Sequence, residues 1–143
     1  HDDGAPRITG AGEIADTAEL APTAAALALL ASGPTRLTGI GHLRGHETDR
    51  LAALTAEAAR LGITVDEDET SLGFPGTDAS GPLSPAALET YHDHRMATFA
   101  AVVGLRVPGT GIVDVATTAK TMPDFPALWT ALVAPGDAAE EAR

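Results

Sequence analysis

The sequence contains no cysteine and a single lysine in 143 residues. Without thiols the chain can form neither disulfides nor thiolate zinc sites, which is compatible with a reducing cytoplasm. No apolar run reaches the roughly 18 residues that a membrane-spanning helix needs. Aromatic residues make up only 3% of the chain, so its core must be built from alanine, leucine, valine and isoleucine. We therefore expect one globular domain, for which this length is sufficient.

Basic residues are also scarce, because 9 Lys plus Arg stand against 20 Asp plus Glu and give a net charge of −11. Such a balance argues against nucleic acid, whose binding requires a basic footprint that releases counterions. A small anion can still be bound if the few cations converge. The candidates are Arg44, Arg50, Arg95 and Lys120. The acidic run over residues 66–69 is interpreted as solvated surface.

Apolar periodicity and Gly/Pro breaks predict alternating helices and strands. We expect helices over residues 22–31, 51–61, 93–105 and 124–133, strands over 7–9, 35–40, 63–65, 70–74 and 111–115, and a loop over 75–85. Asp93 is expected to cap the most apolar helix, with Met96, Phe99 and Trp129 in the core. Both halves run helix, break, strand, polar loop and helix, which suggests duplicated units. Since the chain opens on His1 without an initiator methionine, we expect it to be part of a longer protein.

Three short sequence motifs, called the three phrases below, lie where a predicted loop becomes a helix. They are Gly45-His46-Glu47-Thr48-Asp49-Arg50-Leu51, Tyr91-His92-Asp93-His94-Arg95-Met96 and Thr118-Ala119-Lys120-Thr121-Met122-Pro123-Asp124-Phe125. Arg50 and Arg95 fall in the first turn of a helix, where the macrodipole disfavours a cation. A bound anion would compensate for this placement. Ordinary pairing is the alternative, of Arg50 with Glu47 or Asp49 and of Arg95 with Asp93.

His46, Glu47 and Arg50 could together bind an anion and move a proton. Arg50 follows His46 by four residues, so we expect both side chains on one face of a helix. Glu19 precedes the predicted helix at Pro22, where simple charge complementarity with the helix terminus is the more ordinary role.

The histidines allow a metal hypothesis. His42 and His46 have the spacing HxxxH, and His92 and His94 have the spacing HxH. Both spacings can hold zinc, but the sequence has no HExxH motif, no thiolate and no obvious fixed carboxylate ligand. We therefore expect no metal site.

The ordered phrases over residues 44–51, 93–97 and 118–125 resemble those of the 5-enolpyruvylshikimate-3-phosphate synthase family, the shikimate-pathway transferases that glyphosate inhibits. The resemblance extends from about Glu19 to Trp129. It implies an α/β (α+β) fold, an inside-out α/β barrel lobe of repeated βαβαββ units. Residues 1–143 would supply about two units of the C-terminal lobe, without the N-terminal lobe, and would be inactive alone.

The resemblance implies a cytoplasmic enzyme that transfers the enolpyruvyl group of phosphoenolpyruvate to the 5-hydroxyl of shikimate 3-phosphate and releases phosphate, without cofactor or metal. Arg50, Arg95 and Lys120 would bind phosphoenolpyruvate, and Lys120 would also be catalytic by stabilising charge in the tetrahedral intermediate. Glu47 would exchange the methylene proton. Glu19 would bind shikimate 3-phosphate and take the proton from its hydroxyl.

This chain departs from many relatives at two positions. His46 stands where they carry lysine, so a titrating group replaces a permanent cation at a position expected to contact shikimate 3-phosphate. Thr23 stands where some relatives place the base directly after the helix proline, whereas others place it three residues before the proline, as Glu19 does.

Other functions remain open at this point. The enolpyruvyl transferase acting on UDP-N-acetylglucosamine shares the architecture but lacks the Glu-Thr-Asp-Arg run. A non-catalytic anion-binding lobe and a metal-binding module formed by the internal histidines also fit the residue types present.

Overall fold

The computed structural model of the chain describes residues 7–133. The first half contains β1 (Gly12–Ala15), α1 (Ala21–Leu30), β2 (Thr35–Thr38), α2 (Arg50–Arg60), β3 (Asp66–Glu67) and β4 (Leu72–Phe74). The second half contains α3 (Thr77–Ser80), β5 (Ala87–Leu88), α4 (His94–Gly104), β6 (Gly111–Ile112) and α5 (Phe125–Val133). Short 3-10 helices cover Ala18–Leu20, Gly41–Gly45 and Val115–Lys120. Within residues 7–133, every helix is too short or too polar to cross a bilayer.

The strands form two sheets. One has the order β1-β2-β4-β3, with β1 parallel to β2 and β4 antiparallel to both of its neighbours. The other is the parallel pair β5-β6. A helix connects the strands of each parallel pair, because parallel strands require a long crossover. The predicted α/β class is confirmed, with mixed sheets.

The core lies between α1 and α4. Ala25 and Ala28 of α1 and Phe99 and Val103 of α4 are buried, as is Met96 in the first turn of α4. Small alanines on α1 leave room for the larger side chains of α4, so the interior is filled without many aromatic residues. The predicted burial of the α4 helix is therefore confirmed.

The four long helices were predicted within two residues of their ends, whereas several strands were wrong. The strand expected over residues 7–9 is absent, because the carbonyls of Ile8 and Thr9 accept hydrogen bonds from Ser32 and Gly33 of a turn. The first strand instead begins at Gly12, beside β2.

Other differences from the predicted strands and loops lie after α2. The strand expected over 63–65 falls on 66–67, and a one-turn helix, α3, interrupts the loop expected over 75–85. The strand expected over 111–115 stops at Ile112, because Asp114 has a left-handed φ of 57° and a 3-10 helix follows. Strand β5 was not predicted.

Trp129 is not a core residue, contrary to the sequence interpretation. Its ring is partly exposed and stacks on Phe125, with 5.5 Å between the ring centroids. Of the residues of α5, only Phe125 is buried. The predicted helix α5 is present, but the apolar pattern does not specify whether Trp129 faces the core, because that depends on tertiary packing.

Residues 66–69 are exposed in part but are held by arginines rather than simply solvated. Arg36 pairs with Asp66 at 2.8 Å and with Asp68 at 2.9 Å, and Arg44 pairs with Glu67 at 2.8 Å. These pairs join β3 and the turn after it to β2 and to the 3-10 helix before α2. Two of the chain's few cations, Arg36 and Arg44, therefore bind these acidic side chains.

Candidate active site

The three phrases converge where α2, α4 and the last 3-10 helix approach one another. Arg50 is the first residue of α2, and Asp93 caps α4 by accepting a hydrogen bond from the Arg95 N–H at 2.9 Å. Lys120 ends the 3-10 helix that packs beside α4. Glu19 reaches the same place from the 3-10 turn before α1. Each of these elements thus places a charged side chain in the same region, between the start of α2 and the start of α4.

A buried ion pair forms the floor of the site. Arg50 Nε lies 2.8 Å from Asp93 Oδ2, and Arg50 Nη2 lies 3.2 Å from Asp93 Oδ1. The side chains are 1% and 0% exposed. Burial opposes the charge on Arg50, but hydrogen bonds and charge from Asp93 and Glu19 outweigh this and raise the pKa of the guanidinium. The fork-to-fork pair joins α2 to the cap of α4.

The pairing expected as the ordinary alternative for Arg50 is wrong. Glu47 does not hold its guanidinium, and Asp49 caps α2 by accepting from Ala52 N at 3.1 Å and pairs with Arg44 at 3.0 Å. Arg44 is thereby directed away from the site. Asp93 binds the backbone of Arg95, as a cap does, and binds the side chain of Arg50.

Glu19 contacts two guanidinium groups and one imidazole. Its Oε1 lies 3.3 Å from His46 Nδ1, and its Oε2 lies 3.2 Å from Arg50 Nη1 and 3.8 Å from Arg95 Nε. The hydrogen bond from Arg50 lowers the pKa of Glu19, burial opposes the shift, and the nearby positive charges add to the lowering. Glu19 is therefore an ionised acceptor that contacts two guanidiniums and an imidazole.

The backbone turn before α1, which carries Glu19, is strained. Asp16 and Ala18 have left-handed φ angles of 57° and 49°, which non-glycine residues rarely adopt. Gly39 lies against this turn, and a Cβ added to it would stand 2.8 Å from Asp16 Oδ1. Strained backbone of this kind is common at functional sites. The tight turn places Glu19 over α2 rather than along α1.

His46 and Arg50 do not share a helix face, contrary to the prediction. The 3-10 helix ends at Gly45, His46 has extended backbone, and α2 begins only at Arg50. The two side chains nevertheless converge, because both contact Glu19. The spacing therefore predicted the right neighbours for a wrong reason.

Glu47 and Lys120 form the other side of the site. Lys120 Nζ lies 3.9 Å from Glu47 Oε2 and donates a hydrogen bond of 2.8 Å to the carbonyl of His92. His94 Nδ1 lies 3.8 Å from the same Glu47 oxygen. The lysine is about half exposed, so its ammonium can face a ligand while the backbone carbonyl orients it.

Two buried nitrogens at this site have no hydrogen-bond partner among residues 7–133. They are Arg95 Nε and His94 Nδ1. Both residues line a cavity of about 260 Å³, whose other lining residues are Thr98, Thr118, Thr121, Met122 and Phe125. A buried polar atom without a partner is costly, so a ligand that supplies an acceptor to Arg95 Nε would be favoured. The cavity is suited to a small anion with an apolar part.

The structure contains one possible metal-ligand group in its described part, and it is not either of the predicted histidine pairs. Candidate ligand atoms of Glu47, Asp93 and His94 lie within 4.8 Å of one another. Both oxygens of Asp93 are already engaged by Arg50, and Lys120 stands beside Glu47. Cations surrounding a donor set disfavour a further cation, so this group does not fit a metal.

Asp93 and His94 were not recognised from the sequence as parts of the site. The sequence analysis treats Asp93 as a helix cap and a possible partner of Arg95, and His94 as a possible zinc ligand. Their position within the Tyr91–Met96 phrase was the available signal. The structure otherwise brings Glu19, His46, Glu47 and Lys120 together around the two arginines.

The chain is similar to known proteins over most of its length. The family model described as EPSP synthase (3-phosphoshikimate 1-carboxyvinyltransferase) matches residues 5–129. Proteins named 3-phosphoshikimate 1-carboxyvinyltransferase are 54% identical over 121 residues in Kocuria rhizophila and 50% identical over 123 residues in Mycobacterium ulcerans. Each alignment covers 85% of this chain but only 26% and 28% of the relative. The chain thus spans about a quarter of the length of these curated relatives.

Solved structures agree with the sequence relatives. A structure of EPSP synthase from Acinetobacter baumannii matches with a TM-score of 0.67 and 31% identity, over 75% of this chain and 25% of that one. A second structure of EPSP synthase from the same organism gives a TM-score of 0.64 and 29% identity. The chain therefore belongs to the EPSP synthase family.

Proposed function

We propose that this chain is part of an enzyme that transfers the enolpyruvyl group of phosphoenolpyruvate to the 5-hydroxyl of shikimate 3-phosphate and releases phosphate, within aromatic amino-acid biosynthesis. Membership of the family supports the reaction. In this proposal the chain forms about two βαβαββ units of a C-terminal lobe, an inside-out α/β barrel. An N-terminal lobe completes the site, and the 143 residues alone are inactive. The enzyme is cytoplasmic and uses no metal or organic cofactor.

The observation that carries the proposal is the pair of unsatisfied buried nitrogens beside a group of cations. Arg95 Nε and His94 Nδ1 border a cavity of about 260 Å³, and Arg50 lies within reach of the same carboxylate as Arg95. Phosphoenolpyruvate carries a carboxylate and a phosphate on a small apolar skeleton. Arg95 binds one of these groups through its guanidinium fork, Arg50 contributes Nη1, the nitrogen that contacts Glu19 rather than Asp93, and Lys120 binds as a point charge.

Glu19 occupies the place of an anion before substrate arrives. Its carboxylate interacts with Arg50 and Arg95, the groups that are proposed to bind phosphoenolpyruvate. A substrate anion that takes over these guanidiniums releases Glu19 from them. Since the Arg50 hydrogen bond is the main cause of the lowered pKa of Glu19, its release makes the carboxylate a stronger base. Glu19 then accepts the proton of the attacking 5-hydroxyl, and His46 beside it contacts shikimate 3-phosphate.

In this proposal Glu47 exchanges the proton of the methylene carbon. Its Oε2 lies between Lys120 Nζ at 3.9 Å and His94 Nδ1 at 3.8 Å. These distances leave room for a reacting group, because neither contact is a close hydrogen bond. Lys120 stabilises negative charge as the tetrahedral intermediate forms and as phosphate departs.

The test uses the full-length protein that contains this segment. Phosphate release is measured with phosphoenolpyruvate and shikimate 3-phosphate for wild type, Lys120→Ala and Arg95→Ala. Removing one charged hydrogen bond costs about 1.5 to 3 kcal/mol, so kcat/KM for phosphoenolpyruvate should fall about ten- to hundredfold. Arg95→Lys should recover only part of the loss, since an ammonium cannot form the fork.

Arg36→Ala is the matched control, because Arg36 also binds carboxylates but lies on the sheet away from the site. Its kinetic constants should equal those of wild type. Unchanged kcat/KM in both Lys120→Ala and Arg95→Ala would remove the assignment of the phosphoenolpyruvate site. Phosphate release with UDP-N-acetylglucosamine in place of shikimate 3-phosphate would identify the other transferase.

A further inference from the structure

A buried carboxylate on α2 has no part in the proposed chemistry. Glu57 is 0% exposed. Its Oε1 accepts a hydrogen bond of 2.7 Å from the backbone N–H of Glu89, and its Oε2 accepts one of 2.6 Å from the hydroxyl of Tyr91. Arg60 Nε lies 3.3 Å from the same Oε2. Burying a carboxylate is unfavourable unless donors surround it, and here two of the three donors belong to one distant turn.

That turn, residues 89–92, is strained. Tyr91 and His92 have left-handed φ angles of 55° and 54°, and two consecutive non-glycine residues rarely adopt this conformation. Such a conformation persists only when surrounding contacts hold it. Glu57, on α2, stabilises the turn by accepting the hydrogen bonds from Glu89 N and the Tyr91 hydroxyl. From the other side, the Thr90 hydroxyl donates a hydrogen bond of 3.0 Å to the carbonyl of Val113.

The turn presents two groups to the candidate active site. The carbonyl of His92 accepts the 2.8 Å hydrogen bond from Lys120 Nζ. Asp93, which follows directly, forms the buried pair with Arg50 and caps α4 in front of Arg95. A relaxation of Tyr91 and His92 to ordinary φ angles would redirect this carbonyl and displace the cap. The conformation of the turn therefore determines where Lys120 and the two arginines stand.

We propose that Glu57 is a positioning residue, which holds the turn over residues 89–92 in its strained conformation and thereby orients the phosphoenolpyruvate-binding cations, Lys120 above all. Glu57 does not touch the site itself. The catalytic consequence rests on the proposed function, whereas the effect on Lys120 does not.

The first measurement is kinetic and uses the full-length protein. Glu57→Ala removes both hydrogen bonds to the turn and should lower kcat/KM for phosphoenolpyruvate about tenfold. Glu57→Gln should restore most of the activity, because an amide can accept from Glu89 N and donate to the oxygen of Tyr91. Leu54→Ala is the matched control for lost stability, since Leu54 is equally buried on the same helix but is an apolar core residue.

The second measurement does not depend on activity. Lys120 is the only lysine of this segment, so peptide mapping after acetic anhydride treatment reports the reactivity of its amine. The 2.8 Å hydrogen bond to the His92 carbonyl holds the Lys120 amine against the turn, and losing it should leave the amine more accessible to the reagent. We expect acetylation of Lys120 to be about threefold faster in Glu57→Ala than in wild type, and unchanged in Leu54→Ala.

Each outcome decides the proposal. Equal acetylation rates in wild type and Glu57→Ala would overturn it, as would equal kinetic losses in Leu54→Ala and Glu57→Ala. An inactive wild type would contradict the proposed function alone, because the acetylation rates would still test the positioning. If Glu57→Ala does not fold, Tyr91→Phe takes its place, since it removes only the ring hydroxyl from the network, and about twofold faster acetylation is expected.

Discussion

Removing Asp93 tests the buried pair that joins α2 to α4. The guanidinium of Arg50 is 1% exposed, and Asp93→Ala removes its buried partner at 2.8 Å. Breaking a buried pair by deleting one partner costs about 3 to 5 kcal/mol, and Arg50 then keeps only the half-exposed Glu19, at 3.2 Å, of its two carboxylate partners. Loss of the α4 cap costs about 1 kcal/mol more. A domain of this size has a total stability of about 5 to 15 kcal/mol, so this single change should remove a large fraction of it.

Asp49 provides a matched control for this prediction. It also caps a helix, α2, and it also pairs with an arginine, Arg44. That pair is about one-third exposed on both sides and contributes little. Asp49→Ala should therefore cost only about 1 kcal/mol, mostly from the lost cap. The difference between the two variants isolates the buried pair from the cap.

The assay is urea unfolding followed by far-ultraviolet circular dichroism, with the unfolding midpoint and slope compared between variants. Replacing both partners with apolar residues, in Arg50→Met with Asp93→Leu, should recover much of the loss, since no buried charge then lacks a partner. If Asp93→Ala proved no more destabilising than Asp49→Ala, the reasoning about the buried pair would be refuted. The proposed role of Arg50 as an anion ligand would then lose its structural basis as well.

Two further predictions concern pH. Burial, together with the hydrogen bond to Glu57, raises the pKa of Tyr91 to about 12 from its ordinary 10.0, so the stability it contributes is complete below pH 10 and is lost as pH rises towards 12. Tyr91 is the only tyrosine, and titration of its tyrosinate absorbance should give a higher midpoint in the folded chain than in urea; equal midpoints would contradict this. The hydrogen bonds from the Ser71 hydroxyl and the Thr70 N–H lower the pKa of Asp68 well below its ordinary 3.8, and Arg36 adds to this. The ionised carboxylate of Asp68 therefore contributes stability above about pH 3.8, and this contribution is lost as the solution becomes more acidic. In Asp68→Asn the free energy of unfolding should fall less steeply below that pH than in wild type. An unchanged slope would contradict the role given to Asp68.

Helices could be predicted from the sequence because their signals are local. Asp93 followed by an apolar run indicates both the cap and the buried face of α4, and Pro22 marks the first turn of α1. The strands are two to four residues long, too short for an alternating pattern to define them. Strand β3 consists of Asp66 and Glu67, which no propensity favours, and it forms because Arg36 and Arg44 neutralise it.

The sequence indicated which charged residues lie near one another, but not which of them pair. The phrases located Arg50, Arg95 and Lys120 through residue types that are unfavourable or unusual at helix entrances. The partner of Arg50 is Asp93, 43 residues away, and spacing within a phrase cannot indicate such a pairing. Glu57 has no signal in the sequence at all, since an acidic residue in an amphipathic helix is ordinarily exposed.

The charge balance at the site is compatible with the proposed binding of anions by so acidic a chain. Three permanent cations, Arg50, Arg95 and Lys120, stand among three carboxylates, those of Glu19, Glu47 and Asp93. The group is therefore close to neutral and can persist without a ligand, since each charge has a partner nearby. Asp93 is fixed by burial, but Glu19 is about half exposed and can leave the guanidiniums. Exchange of Glu19 for a substrate anion keeps the arginines paired. In the proposed reaction two phosphorylated substrates carry more negative charge than one released carboxylate, so the proposal predicts that further cations come from outside residues 7–133.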